Sequence, residues 1–235
     1  MPTNARADTD TDTAARVARR YWNQHVTGAG NWRRDAFSGS ELRAAGEDLA
    51  ALRSGLGRPA ATVPALWRYY TSPVDGRVTP ELEAEHAALA LYGLHQQSQS
   101  SPMHRRGVTI GTALRALHRS GRFSEEAVDR RVAAAVHTTA VPALLYRLRG
   151  LVTQLRAVQQ PIDYDQLLSD VWRWSHPEHR QRVRREWGLA YHAWGPSSQD
   201  RTPAPGRPAS PDGKSTTTGT KAPNPVQHAS APSTP

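Results

Sequence analysis

The chain has 235 residues, a formal net charge of +9 and no cysteine, which excludes disulfides and thiolate metal sites. It contains no run of about 18 apolar residues, so no membrane span is expected. Its length allows one large domain or two small ones.

Residues 1–13 alternate Asp with Thr and carry no apolar run. The expectation there is a disordered, non-secretory leader, and for the protein a cytoplasmic location. From residue 14 to about 194 the spacing of apolar residues is helical and β-branched residues are sparse, which predicts an all-α fold. A first helix is predicted over 14–26, grouping Val17, Tyr21 and Trp22. A Gly-rich loop with Gly28 and Gly30 follows, in which Trp32 beside Arg33 and Arg34 is a candidate exposed aromatic. A second amphipathic segment is predicted over 41–52. Pro59 and Pro64 frame a loop leading into Leu66-Trp67-Arg68-Tyr69-Tyr70. Thr79-Pro80-Glu81 combines a capping hydroxyl, a proline in the first turn and carboxylates at the positive end of the helix dipole. It predicts a helix running to about 97.

A Gln/Ser-rich loop over 96–102 separates this half from the next. A short helix is predicted over 109–119, ended by Gly121, and another opens at Ser124 with Glu125 and Glu126 in its first turn. Over 142–158, Leu144, Leu148, Leu151 and Leu155 recur at i, i+4, i+7 and i+11 and form one apolar stripe. Helices over 163–174 and 177–194 complete the set. The expected organisation is two small helical bundles joined by a loop: an N-terminal bundle over 14–100 and a basic C-terminal bundle over 101–195. A Pro/Ser/Thr-rich tail over 196–235 has no aromatic residue and is expected to be disordered.

Catalytic chemistry finds little support. Asp163 stands where the following helix needs a cap, which explains its pairing with Asp165. His176 and His179 offer two ligands across a helix start with no third nearby. No Gly-rich phosphate loop, nucleophile–His pair or acidic metal cluster is evident. The expectation is therefore no enzyme activity, no catalytic residue, no metal and no cofactor.

The arginines are better organised. Residues 101–195 hold 15 Arg against 8 acids, whereas 14–100 hold 10 Arg against 8 acids. A GC-rich genome alone would favour Arg, yet guanidinium forks suit phosphate and stack on bases whatever their origin. Residues 103–132 contain seven of them, including Arg105 and Arg106. Helical geometry sends Arg115 and Arg119 away from Ile110, Leu114 and Leu117. Arg149 and Arg156 lie along one flank of the leucine stripe and Arg147 along the other, while Arg182 and Arg185 point away from the Val183/Trp187/Tyr191 edge. Charge gathered just beyond a core boundary suits a groove that tracks a phosphate backbone. The bland alternative is an ordinary solvated surface in which Arg stems shield apolar area.

Several motifs resemble the CasB family, the small subunit of Cascade, the type I-E CRISPR surveillance complex of antiviral defence. A G-x-x-(L/I)-G-x-A-L block reads here as Gly107-Val108-Thr109-Ile110-Gly111-Thr112-Ala113-Leu114, followed by Gly121-Arg122 and Ser124-Glu125. Leu148-Arg149-Gly150-Leu151 is similar to the family's L-R-R-L segment, and Asp163-Tyr164 with Trp174 to its D-(W/Y) helix start. Leu52-Arg53-Ser54, then Pro64-Ala65-Leu66-Trp67, is similar to its L-R-R and P-x-x-(W/Y) segments. Ser54 and Gly150 stand where the family often has a second Arg, so only Arg53 and Arg149 carry over, with Arg58 and Arg147 nearby.

The resemblance implies a non-catalytic, all-helical subunit that contacts the Cascade backbone and large subunits and another copy of itself. It implies binding to crRNA and target DNA, both single-stranded and in the R-loop, without reading sequence. Two alternatives remain at this point: a helix-turn-helix DNA-binding regulator built on 109–136, and a scaffold without direct nucleic-acid contact. Against the regulator, the second helix opens on Ser124-Glu125-Glu126 and lacks Asn or Gln to read base edges.

Overall fold

The computed structural model describes residues 4–73 and 75–193; the expected tail over 196–235 lies outside them. In chain order the helices are α1 Asn4–Arg19, α2 Tyr21–His25 and α3 Gly46–Arg53, then a 3-10 turn Pro64–Tyr69. They continue with α4 Pro80–Gln96, α5 Ile110–His118, α6 Glu125–Val136, α7 Val141–Ala157, α8 Tyr164–Ser175 and α9 Pro177–Tyr191. Among the described residues the only extended pairings are isolated bridges, such as His104 with Ile162. The all-α expectation is borne out.

The caps fall where local chemistry places them. Thr79 Oγ1 accepts from the Leu82 amide, Thr109 Oγ1 from Thr112 and Ser124 Oγ from Ala127. Asp163 Oδ1 accepts from the amides of Asp165 and Gln166. The leucine stripe of α7 is fully buried, with Leu144, Leu148, Leu151 and Leu155 each at most 1% exposed.

Three boundaries differ from expectation. The helix expected from 14 begins at Asn4, within the segment read as a disordered leader. Arg16 and Arg19 stand in its last turn, the end of a helix that favours positive charge. The same helix stops at Arg20, whose extended ψ of 140° starts a separate α2. The segment over 41–52 becomes helical only at Gly46, because Glu41 pairs with Arg34 and the Leu42 amide donates to the Arg33 carbonyl.

α4 organises the interior. It is apolar around most of its circumference, with Ala84, Ala87, Ala88 and Ala90 keeping its neighbours close. It packs against α3 on one side and against α7 and α8 on the other. A single cluster of buried side chains therefore runs through both helical halves, and the described residues fall in one compact unit. The loop at 96–102 is no free linker: Gln96 donates to the Ser101 carbonyl and accepts from the Met103 amide. Tyr164 of α8 sits edge-on to Tyr92 of α4 at 5.1 Å and 5.6 Å from Trp22 of α2. His95 Nδ1 lies 3.0 Å from the Tyr164 hydroxyl, and burial holds its imidazole neutral, down to about 3.

The glycine block has a packing reason. A Cβ on Gly111 would lie 2.5 Å from the Trp187 carbonyl oxygen and 2.7 Å from the Ala190 Cβ, so α5 approaches α9 there too closely to admit a side chain without a shift. Gly111→Ala should lower stability by about 1–3 kcal/mol through overpacking. The urea midpoint reads this loss, and an unchanged midpoint would mean that α9 moves aside freely.

Candidate nucleic-acid interface

Between α6 and α7 runs an open groove of about 810 Å3. Two turns of α6 place Arg130 and Arg131 along it, with the small Ala127 and Ala134 on either side of the pair. α7 contributes Arg147, Arg149 and Tyr146 from the opposite wall. No carboxylate lines the groove. All four guanidinium-bearing residues are exposed, and none forms an ion pair or side-chain hydrogen bond among the described residues. Two of the three acids of α6 face elsewhere: Asp129 accepts from the Tyr191 hydroxyl at 2.5 Å, and Glu125 lies 3.9 Å from His118, while the exposed Glu126 stands one turn before Arg130 and outside the groove lining. Helical phase thus turns Glu125 and Asp129 toward α5 and α9 and Arg130 and Arg131 toward α7.

The groove unites Arg147 and Arg149 from the sequence-derived set and adds Arg130 and Arg131, which that set missed. The missing signal was phase: 127, 130, 131 and 134 share a flank of α6 distinct from buried Val128, Val132 and Ala135. Gly150 lies in the same wall with open space where a Cβ would stand. Arg58 and Arg149 both line a neighbouring cavity that also takes in Tyr146.

The remaining candidates are dispersed. Arg105 and Arg106 are exposed, their stems laid over the loop glycines, with Arg105 Cγ 3.1 Å from a Cβ position on Gly30. Trp32 of that loop is half-buried and donates its indole N–H to the Ser100 carbonyl. Arg53 is half-buried at the end of α3, and Arg119 and Arg185 are exposed on α5 and α9. Arg115 points outward from its helix, but its Nη1 donates to the Ala193 carbonyl at 3.0 Å. Arg156 ties α7 to the end of α4 through the Leu94 carbonyl and Gln97 Oε1, both at 3.2 Å. Arg182 pairs with Glu186 one turn on.

One cluster of metal-type ligands occurs among the described residues: His104, Asp163 and Asp165, with ligand atoms within 4.8 Å of one another. Every carboxylate oxygen in it already accepts an N–H. Asp163 takes the amides of Gly107, Asp165 and Gln166. Asp165 takes Arg20 Nη1 at 2.7 Å, Trp22 Nε1 at 3.0 Å and Asn23 Nδ2 at 2.9 Å. His104 Nδ1 accepts from the Tyr164 amide. This is a joint that fastens α2 onto α8, with the donor set of an anion receptor rather than a cation cage. His176 and His179 are spent on Trp172, His176 bonding its carbonyl and His179 stacking on its ring.

Taken together, a single helical core bearing an arginine-lined groove between α6 and α7 defines an all-α protein with a basic surface groove. The chain belongs to the CRISPR-associated protein Cse2 family, whose model matches residues 48–192. It is similar to the crystal structure of CasB from Thermobifida fusca, at 33% identity over 63% of this chain and 85% of that one, with a TM-score of 0.53. It is also similar to a chain of a CRISPR RNA-guided surveillance complex, at 25% identity over 62% of this chain and 81% of that one, with a TM-score of 0.51. No curated protein matched. The CasB resemblance read from the motifs is borne out. No helix among the described residues is long and apolar enough to cross a membrane.

Proposed function

We propose that this protein is the non-catalytic small subunit of a type I-E Cascade complex. In this reading it holds the target and displaced strands of the R-loop by their phosphates. The observation that carries it is the α6–α7 groove, where Arg130, Arg131, Arg147 and Arg149 face solvent without a carboxylate. Such a surface neutralises backbone charge and reads no bases, which suffices when a guide RNA does the reading. Exchanging a DNA duplex for an RNA–DNA hybrid is nearly balanced in free energy, as stated for single-protein RNA-guided effectors, so modest backbone contacts tip it. The backbone and large subunits, a second copy and crRNA are the partners that the reading calls for.

Titration of single-stranded DNA at increasing salt tests the groove. With about four to six phosphates contacted, log K against log salt should have a slope of roughly −3 to −4, independent of base sequence. A flat plot would replace this reading with that of a scaffold whose arginines meet only protein carboxylates. Co-purification with Cascade backbone subunits and a guide RNA checks the assembly.

A further inference from the structure

Beyond Tyr146 the groove continues into a cavity of different character. Its volume is about 500 Å3, within the range of roughly 300–1,000 Å3 of small-molecule sites. Three elements enclose it: the connection after α3 over residues 55–60, one face of α4 and the first turns of α7. The walls are mostly apolar, formed by Pro59, Ala87, Ala90, Pro142 and Leu145. His86 adds no free polar group, since Nε2 meets the Gly55 carbonyl at 3.0 Å and Nδ1 the Tyr70 hydroxyl at 2.7 Å. Arg58 and Arg149 are the basic residues of the lining and Glu83 its one carboxylate.

Two features say what this cavity takes. Tyr146 is 79% exposed and carries no side-chain hydrogen bond among the described residues, yet it belongs to both the cavity and the arginine groove. An aromatic ring left in water beside guanidinium groups is a stacking platform for bases. Arg149 is likewise shared by both, so a phosphate held by it stands at the mouth of the apolar space. A phosphate itself would gain nothing from apolar walls and would meet Glu83. A flat, uncharged ring attached to that phosphate fits both halves.

We infer that the cavity receives a nucleobase unstacked from a single strand whose phosphates lie in the adjoining arginine groove. The inference rests on the strand-binding reading above and adds to it a base-sized, sequence-tolerant pocket. Tyr146 supplies the stacking face, the α4 and α7 walls exclude water, and Glu83 accepts hydrogen bonds from exocyclic amino groups where the base has them.

The test compares the full-length protein's affinity for a single-stranded oligodeoxynucleotide with that for a fully abasic strand of equal length and phosphate count. The intact strand should bind about tenfold more tightly, the scale of one base–aromatic stack. Tyr146→Ala should bring the ratio close to one, and Leu145→Trp, which fills the cavity from α7, should do the same by a second route. Circular dichroism confirms that each variant is folded. Equal binding of both strands by the wild type, with a steep salt slope retained, overturns the pocket and leaves the groove standing. A ratio that survives both substitutions also overturns it, because the base is then stacked elsewhere. Binding of neither strand removes groove and pocket together. Competition by an acidic peptide carrying a bulky apolar residue, combined with equal binding of both strands, would assign the cavity to a protein partner instead.

Discussion

Asp165→Ala should cost about 3–5 kcal/mol of stability, the scale of breaking one partner out of a buried ion pair. The Asp165 side chain is only 16% exposed and that of Arg20 13%. Losing the carboxylate takes the acceptor from the Arg20 Nη1 and the Trp22 indole N–H and one of two acceptors from the Asn23 amide, which keeps the Val17 carbonyl. A buried donor without a partner bears its full desolvation cost, so the losses at Arg20 and Trp22 reinforce one another. Trp22 is completely buried against Tyr92 and Tyr164, and its detachment should open the interior between α4 and α8. Urea unfolding followed by tryptophan fluorescence measures the loss. Limited proteolysis should cut first within residues 1–26. Asp165→Asn keeps an acceptor for Arg20 and Trp22 but turns a donor toward Asn23, so its loss should be smaller. If alanine and wild type unfold at the same urea concentration, the joint does not hold α2 in place.

The second large effect is on binding. Removing Arg130, Arg131, Arg147 and Arg149 together by substitution to alanine should reduce the magnitude of the salt slope on single strands by about 3, at roughly 0.7 per phosphate. Affinity in dilute salt should fall at least about a hundredfold. None of the four is paired among the described residues, so stability should stay within about 0.5 kcal/mol of wild type for each substitution. Arg182→Ala is the contrast. Its guanidinium is already paired with Glu186, so its removal should leave the slope unchanged. A quadruple variant that binds as wild type would move the interface elsewhere, with the exposed Arg105 and Arg106 beside the 28–34 loop as the next basic surface to substitute.

The elements were legible because their causes are local. Thr79, Thr109, Ser124 and Asp163 cap helices through amides two or three residues away, and the α7 stripe is a matter of spacing along one helix. The break at Arg20 was not legible. It separates α1 from α2 where Arg20, Trp22 and Asn23 all converge on Asp165, more than 140 positions away. For the same reason the loop at 96–102 reads as a linker in the sequence, although Gln96 fastens it in the structure.

The arginines show the division most clearly. By spacing alone, Arg115, Arg149, Arg156 and Arg182 are equivalent: each stands just outside an apolar stripe. In three dimensions Arg115 reaches the carbonyl of Ala193, Arg156 the carbonyl of Leu94 and Oε1 of Gln97, and Arg182 the carboxylate of Glu186, while Arg149 has no polar side-chain partner among the described residues. The chain's sequence by itself determined that the fold is helical, which face of each helix is apolar and that the C-terminal half carries excess positive charge. Those properties depend on neighbours within a turn or two. Which charges stay free, and that two of them border an apolar cavity beside Tyr146, was decided only by tertiary packing. An unpaired guanidinium is defined by what distant elements fail to bring near it.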